Sequence, residues 1–295
     1  MTDKEQTHIY QQFKNIGAGN AFTPALIFDL KAGVAEKQHP YSFDNNGDKV
    51  DVLFHIKKSE NSNLYFLNKY EMAITPENKP AEIRDTFYTA EPRNVKLQPG
   101  EERLNNLNRF TLKKAANYLA GRPVFNAFTD KEGNQYEAWA KRKFDTGKGK
   151  HIMAKYRKEY PFAMETAVKK YSIKELTVPL FQERMYDSFK RGNLQLVNFV
   201  GNGGHEEKLY ASLNIGLIAG GSLDVYNLNK EKLSTQELFD RGFIGNDLAE
   251  KLKERMTKKI EPITQNLKPA KEGGEVKPEV KLVKEKKITK KQKMS

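Results

Sequence analysis

The chain has 295 residues, 38% of them apolar, with a formal net charge of +13 and a mean hydropathy of −0.76. That length allows one large domain or two small ones with real cores. There is no cysteine, which excludes disulfides, Cys-ligated zinc, iron–sulfur clusters and thiol catalysis and suits a reducing compartment.

The N-terminal MTDKEQTHIYQQFK is polar and mixed in charge, unlike a secretory signal. The apolar stretches Ala21–Phe28 and Ile215–Ala219 are far too short to span a bilayer. A cytoplasmic protein is expected. Asp44-Asn-Asn-Gly-Asp48 has the look of a calcium loop but lacks the closing Glu, and reads better as a hairpin turn. Lys49–Lys57 then alternates Val50, Val52, Phe54 and Ile56 with polar residues, and Leu64–Ile74 alternates Leu64, Phe66, Tyr70 and Met72. With the Ser59–Asn63 loop between them, they predict a first hairpin.

Thr111 is placed to cap a helix over Leu112–Ala120 that Gly121 ends. A second hairpin, Arg122–Thr129 with Asn134–Phe144, turns at Asp130-Lys-Glu-Gly133. Thr177 is the expected cap of a further helix, with Pro179 in its first turn, Val178, Phe181, Met185 and Phe189 on one face, and Gly192 at its end. A third hairpin, Leu194–Val200 with Glu207–Leu213, turns at Gly201–Gly204, and a strand over Ser222–Asn227 follows. Ser234-Thr-Gln-Glu237 has capping-box spacing for a short helix ending at Gly242. Asn246 or Asp247 starts a last helix striped by Leu248, Leu252, Met256 and Ile260. From Pro262 the composition shifts to Lys, Glu, Pro and Gly, which cannot offset ordering entropy by burial, so residues 262–295 are expected to be disordered. The expected class is α+β, antiparallel hairpins interleaved with helices. The expected divisions are 1–105, 106–232, 233–261 and the tail 262–295.

The positive charge is concentrated. From Lys141 to Phe162 eight Lys or Arg face two acids, +6, and from Lys251 to Ser295 fifteen face six Glu, +9, so the rest of the chain carries −2. Localised basic surface seeks polyanions, nucleic acid first and anionic membrane second. The first block offers Lys141, Arg142, Lys143, Lys148, Lys150, Lys155, Arg157 and Lys158 for phosphates, interleaved with Phe144, Tyr156, Tyr160 and Phe162. Aromatic faces can stack on unpaired bases without reading sequence, and Gly147-Lys-Gly-Lys150 can present backbone N–H groups to a phosphate. The alternative is a solvated loop with its rings toward the core. In a regular strand, Trp139 shares a face with Glu137, Lys141 and Lys143, opposite Tyr136, Ala138, Ala140 and Phe144, which form the expected core side. Trp139 is then either a stacking platform or, as a lone Trp usually is, buried under a covering element.

Lys251, Arg255, Lys258 and Lys259 on the last helix, and Lys286, Lys287, Lys290 and Lys291 in the tail, extend this charge as an electrostatic arm. No Trp or Phe on that helix anchors it in lipid, so no membrane partner is expected. Lysine without arginine in the tail argues against bidentate recognition. His8, His39, His55, His151 and His205 show no ligand spacing, and neither Gly201–Gly204 nor Gly216–Gly221 fits a nucleotide-binding loop. No cofactor and no catalytic group is expected.

Thr111–Phe144 resembles the core of an uncharacterised domain family found in conjugative elements and phages of gut anaerobes. The resemblance rests on a helix, the Gly121-Arg122 step, a strand, the Thr129-Asp-Lys-Glu-Gly133 hairpin and the Ala138-Trp139 pair. Leu64–Tyr70, Tyr171–Leu176, Arg191–Gln195, Val197–Val200 and Leu223–Asn227 extend it in order from about Val50 to Asn227. The chain departs from it at Thr146–Lys158, which is more basic, and at Ala211–Gly221. The family it resembles has no established catalytic residues to carry over, and the resemblance implies a mobile-element setting, sometimes beside relaxases or type IA topoisomerases. The expectation is therefore a non-enzymatic accessory protein that binds nucleic acid, DNA before RNA, without sequence specificity. The alternative is a protein–protein adaptor or inhibitor acting on host defence or transfer machinery. A nuclease- or topoisomerase-associated enzyme is a third, weaker reading.

Overall fold

A computed structural model describes residues 1–77, 82–147, 149–216, 218 and 220–260, the side chains of the last five excepted. The expected tail, residues 262–295, and with it Lys286, Lys287, Lys290 and Lys291, lies outside the described residues, as do Lys148 and the side chains of Lys258 and Lys259. The class is α+β: seven α-helices and three antiparallel sheets among the described residues. No helix there is long and apolar enough to cross a membrane.

The chain opens with α1 (Asp3–Asn15), started by a reciprocal capping box between Thr2 and Glu5. Helix α2 (Pro24–Lys31) has Thr23 as its cap and Pro24 in the first turn. Strands β1 (Glu36–Asn45), β2 (Asp48–Lys58), β3 (Tyr65–Thr75) and β4 (Ile83–Tyr88) form a meander in that order. The turn between β1 and β2 is the expected hairpin turn: Asn46 and Gly47 both take positive φ (60° and 87°), the two-residue geometry that matches strand twist. Val50, Val52, Phe54 and Ile56 point into a core they share with Ile9 and Phe13 of α1. Strands β2 and β3 fall within a residue of their expected bounds, whereas α1, α2, β1 and β4 are not among the expected elements, although Thr2-Asp-Lys-Glu5 and Thr23-Pro24 are helix-start signals in α1 and α2.

Helix α3 (Leu112–Leu119) follows, capped by Thr111, whose Oγ1 accepts from the Lys114 N–H, and it ends at Gly121 with φ 83°. The middle sheet is β5 (Val124–Thr129), β6 (Gln135–Asp145) and β7 (Lys150–Tyr156). Then come α4 (Met164–Val168), a 3-10 turn at Lys174–Thr177, and α5 (Pro179–Lys190). Thr177 does not cap α5 as expected. Its hydroxyl donates to the Lys174 carbonyl within the 3-10 turn, and Val178 takes the cap position without a side-chain bond. Strands β8 (Gln195–Val200), β9 (Glu206–Asn214) and β10 (Ser222–Tyr226) form the last sheet, with β9 central. Helix α6 (Thr235–Asp240) starts on the Ser234/Glu237 capping box, and α7 (Asn246–Ile260) buries Leu248 and Leu252.

Residues Met1–Met256 form one compact unit. Two apolar clusters meet across the middle sheet. Val124, Phe128, Ala138 and Ala140 face the cluster built on the first sheet and α1–α3, while Trp139 and the partly buried Phe125 face the one built on β8–β10 and α4–α7. Both faces of a sheet placed between two cores must be apolar where they are covered. A polar joint ties the halves together. Fully buried Asn117 of α3 accepts from Asn45 Nδ2 (3.1 Å) and Arg122 Nη2 (2.6 Å), and donates to the Arg191 carbonyl (2.8 Å) and Asn193 Oδ1 (2.9 Å). Arg122 Nε completes it by donating to the Gly192 carbonyl at 2.9 Å.

Candidate nucleic-acid interface

The basic block is a hairpin rather than a loop. Its register runs from Trp139 opposite Tyr156 to Asp145 opposite Lys150. Strand β5 pairs β6 only as far as Ala140, so residues 141–145 and 150–154 continue as a two-stranded ribbon. Gly149 turns the chain with φ 61°, and the Gly147 N–H donates to Asp145 Oδ1 at 3.0 Å. One backbone donor expected to face a phosphate is thus already engaged.

Directly opposed residues of an antiparallel pair share a face, and this divides the cations. One face carries Lys141 and Lys143 of β6 with Lys150 of β7. Lys141 turns inward and donates to the Ile215 carbonyl (3.2 Å) and Asn214 Oδ1 (3.4 Å), while Lys143 and Lys150 are exposed. The other face carries Arg142, Phe144, His151 and Lys155, with Tyr136 and Phe128 further along the sheet. Lys155 Nζ lies 4.1 Å from the Phe128 centroid and donates to the Tyr136 hydroxyl at 3.4 Å. Arg157 stacks its guanidinium 3.7 Å from the centre of the Tyr136 ring. Such contacts, each about 0.5–1 kcal/mol where exposed, hold the cations in place without neutralising them. Phe144 meets His151 edge to face at 5.2 Å and is 50% exposed. Despite its parity with Ala138 and Ala140, Phe144 is therefore not core, because no third strand reaches that far.

Trp139 does share its face with Lys141, but that face is covered. It is 8% exposed, packed at 5.3 Å from Phe125 and 5.4 Å from Phe162, so burial and not a stacking platform is the outcome. Tyr156 lies on the same side, half-buried and 4.7 Å from Tyr160, and burial followed by the Tyr160 charge pushes its phenol pKa up. It is separated by the sheet from the Lys155 face. Lys158 is exposed beside a cavity of ≈ 470 Å³ lined by Trp139, Tyr156, Arg157, Glu159 and Phe162. Lys251 and Arg255 are exposed on α7. Burial, reinforced by the nearby charge of Lys251, lowers the pKa of Lys170.

The rings that hold the cations differ from those the basic block itself supplies. Tyr136 lies on the expected core side yet carries Arg157 on its face, and Phe128 belongs to the neighbouring strand. The Thr129–Asn134 turn is the signal that could have found them, since it sets Phe128 opposite Tyr136. Strand β7 leaves no such signal, because Lys150–Tyr156 mixes polar and apolar residues without alternation.

Three of the five histidines serve packing. His39 Nε2 lies 2.8 Å from the Ala21 carbonyl oxygen, His55 pairs with Glu71 at 2.9 Å and His8 meets Phe66 edge-on. Among the described residues no three His, Asp or Glu are grouped to hold a metal ion. No family model, curated protein or solved structure matches the chain.

Proposed function

We propose that this protein is a non-enzymatic, sequence-nonspecific nucleic-acid-binding protein that uses the β5–β6–β7 face and its ribbon. The observation that carries the reading is the gathering of Arg142, Lys155 and Arg157 with Tyr136, Phe144 and His151 on one sheet face. Cations beside partly open rings suit a single strand, whose phosphates take the charge and whose bases stack. Lys143 and Lys150 on the ribbon's other face extend the positive potential around its edge. The mobile-element setting is supported by the sequence resemblance, and the cytoplasmic one by the cysteine-free composition.

Fluorescence anisotropy with a labelled oligodeoxythymidylate and a matched duplex, across a salt series, tests the reading. Binding should weaken linearly in log[salt]. The Lys155→Ala/Arg157→Ala variant should lower the single-strand slope by about 0.7 for each phosphate it no longer neutralises. Phe144→Ala should weaken single-strand binding more than duplex binding. Absence of binding at low salt, or loss only when residues 261–295 are removed, refutes a folded site.

A further inference from the structure

We propose that the groove between α5 and β8 is a docking site for an extended, acidic–apolar segment of a partner protein, which adds as a fourth strand beside β8. The sheet order leaves β8 at an edge. Its Val197 and Phe199 side chains are buried, and alternation sends the backbone groups of Leu196, Asn198 and Val200 away from β9. Short local contacts occupy that edge where a strand would. The Asn198 N–H donates to the Glu175 carboxylate (3.0 and 3.1 Å), and Gln195 Nε2 donates to the Leu196 carbonyl (3.0 Å). Main chain closes only the far end of the edge, where Ile173 bridges Phe199 in antiparallel fashion and the Val200 N–H donates to the Ser172 carbonyl at 2.8 Å, which leaves Gln195–Asn198 as the open stretch. Side chains of this kind block edge-to-edge pairing, yet they rotate aside at little cost when a better ladder is offered.

Beside this edge runs a groove of ≈ 500 Å³ whose lining includes Val178, Phe181, Met185 and Leu196. The apolar stripe expected on α5 is only half used by the core: Met185 and Phe189 are buried, whereas Val178, Phe181 and the neighbouring Leu180 remain exposed, as does Leu196. Contiguous exposed apolar surface of this kind marks a binding site more often than a free surface.

The rim specifies charge. Arg184 and Arg191, seven residues apart, line the groove and have no ion pair among the described residues, while Lys174 is committed to Glu206 at 2.6 Å. Two unneutralised guanidinium groups favour carboxylates, which they grip bidentately. A nucleic acid fits less well, since the floor is mainly aliphatic. The open stretch Gln195–Asn198 spans about 13 Å, which sets the paired part of the occupant at about four extended residues, with alternate side chains in the groove.

The test is peptide display on the full chain. Random decapeptides are selected, and fluorescein-labelled winners are measured by anisotropy. Selection should enrich sequences alternating Asp or Glu with aliphatic residues. Leu196→Arg and Phe181→Arg, both at exposed positions, should weaken binding tenfold or more while far-UV circular dichroism and melting temperature stay at wild-type values. Arg184→Ala/Arg191→Ala should weaken acidic winners, and Lys155→Ala/Arg157→Ala should leave them unaffected. N-methylation at alternate peptide positions should abolish binding for one parity and spare the other, a pattern that strand addition alone requires. The proposal is overturned by failure of enrichment, by winners indifferent to Leu196→Arg, by N-methyl tolerance at every position, or by displacement with oligodeoxythymidylate.

Discussion

Replacing Asn117 by Ala removes the polar joint between the two halves of the body. The amide makes four hydrogen bonds at zero exposure, to Asn45, Arg122, Arg191 and Asn193. Its loss strands an Arg122 N–H, the Asn45 amide and the Arg191 carbonyl in a closed site. Burial already lowers the Arg122 pKa, so its guanidinium depends on these partners. At about 1–3 kcal/mol per stranded buried group, with entering water recovering part, the cost is about 4 kcal/mol. For a body of this size that lowers the melting temperature by about 8–16 °C. Calorimetry on wild type, Asn117→Ala, Asn117→Asp and Asn193→Ala reads it out. The Asp variant keeps the acceptor facing Asn45 and Arg122 and should lose about half as much, and Asn193→Ala about 1 kcal/mol. A fall of less than about 3 °C for Asn117→Ala would refute the idea that this joint holds the halves together.

Gly192 and Gly121 both end helices with positive φ (75° and 83°), but their surroundings differ. A Cβ at Gly192 would meet Val124 Cγ1 at 2.6 Å and the Pro123 carbonyl at 2.9 Å, whereas none would be met within 4 Å at Gly121. Gly121→Ala should therefore cost about 1 kcal/mol and Gly192→Ala several times more in urea titrations. Thr111→Ala should cost about 1 kcal/mol as a lost cap, while Thr177→Ala should cost under about 0.5 kcal/mol because its hydroxyl caps no helix. Burial raises the phenol pKa of Tyr70 and Tyr171 and lifts Tyr118 and Tyr226 to about 12. A raised folded-state pKa means stability present below the unfolded value of 10.0 and lost as pH rises toward 12. Each phenol contributes a slope of about 1.4 kcal/mol per pH unit in that window. Ultraviolet phenolate titration should show these tyrosines ionising only with unfolding, and ordinary titration near pH 10.0 in the folded state would contradict it.

Local chemistry is readable directly from the residues. Thr111 before Leu112, Ser234 three residues before Glu237, and the glycines at 121, 192 and 242 announce helix ends because caps and positive φ depend on a few neighbouring residues. The alternation of Val50, Val52, Phe54 and Ile56 announces a strand with one buried face. Elements whose burial depends on distant partners are hidden. Strand β7 has no apolar period of its own, and β1 alternates exposed residues with half-buried ones, so both are strands chiefly because β6 and β2 supply their ladders. The same reason governs the candidate sites. Composition alone locates the basic block, but the pairing register decides that Lys141 turns inward, that Lys155 and Arg157 sit on Phe128 and Tyr136, and that Trp139 is buried. The groove beside β8 is hidden in a helix stripe that looks wholly core-facing. Whether a stripe is covered depends on how far the neighbouring sheet extends, and only the packed chain sets that length.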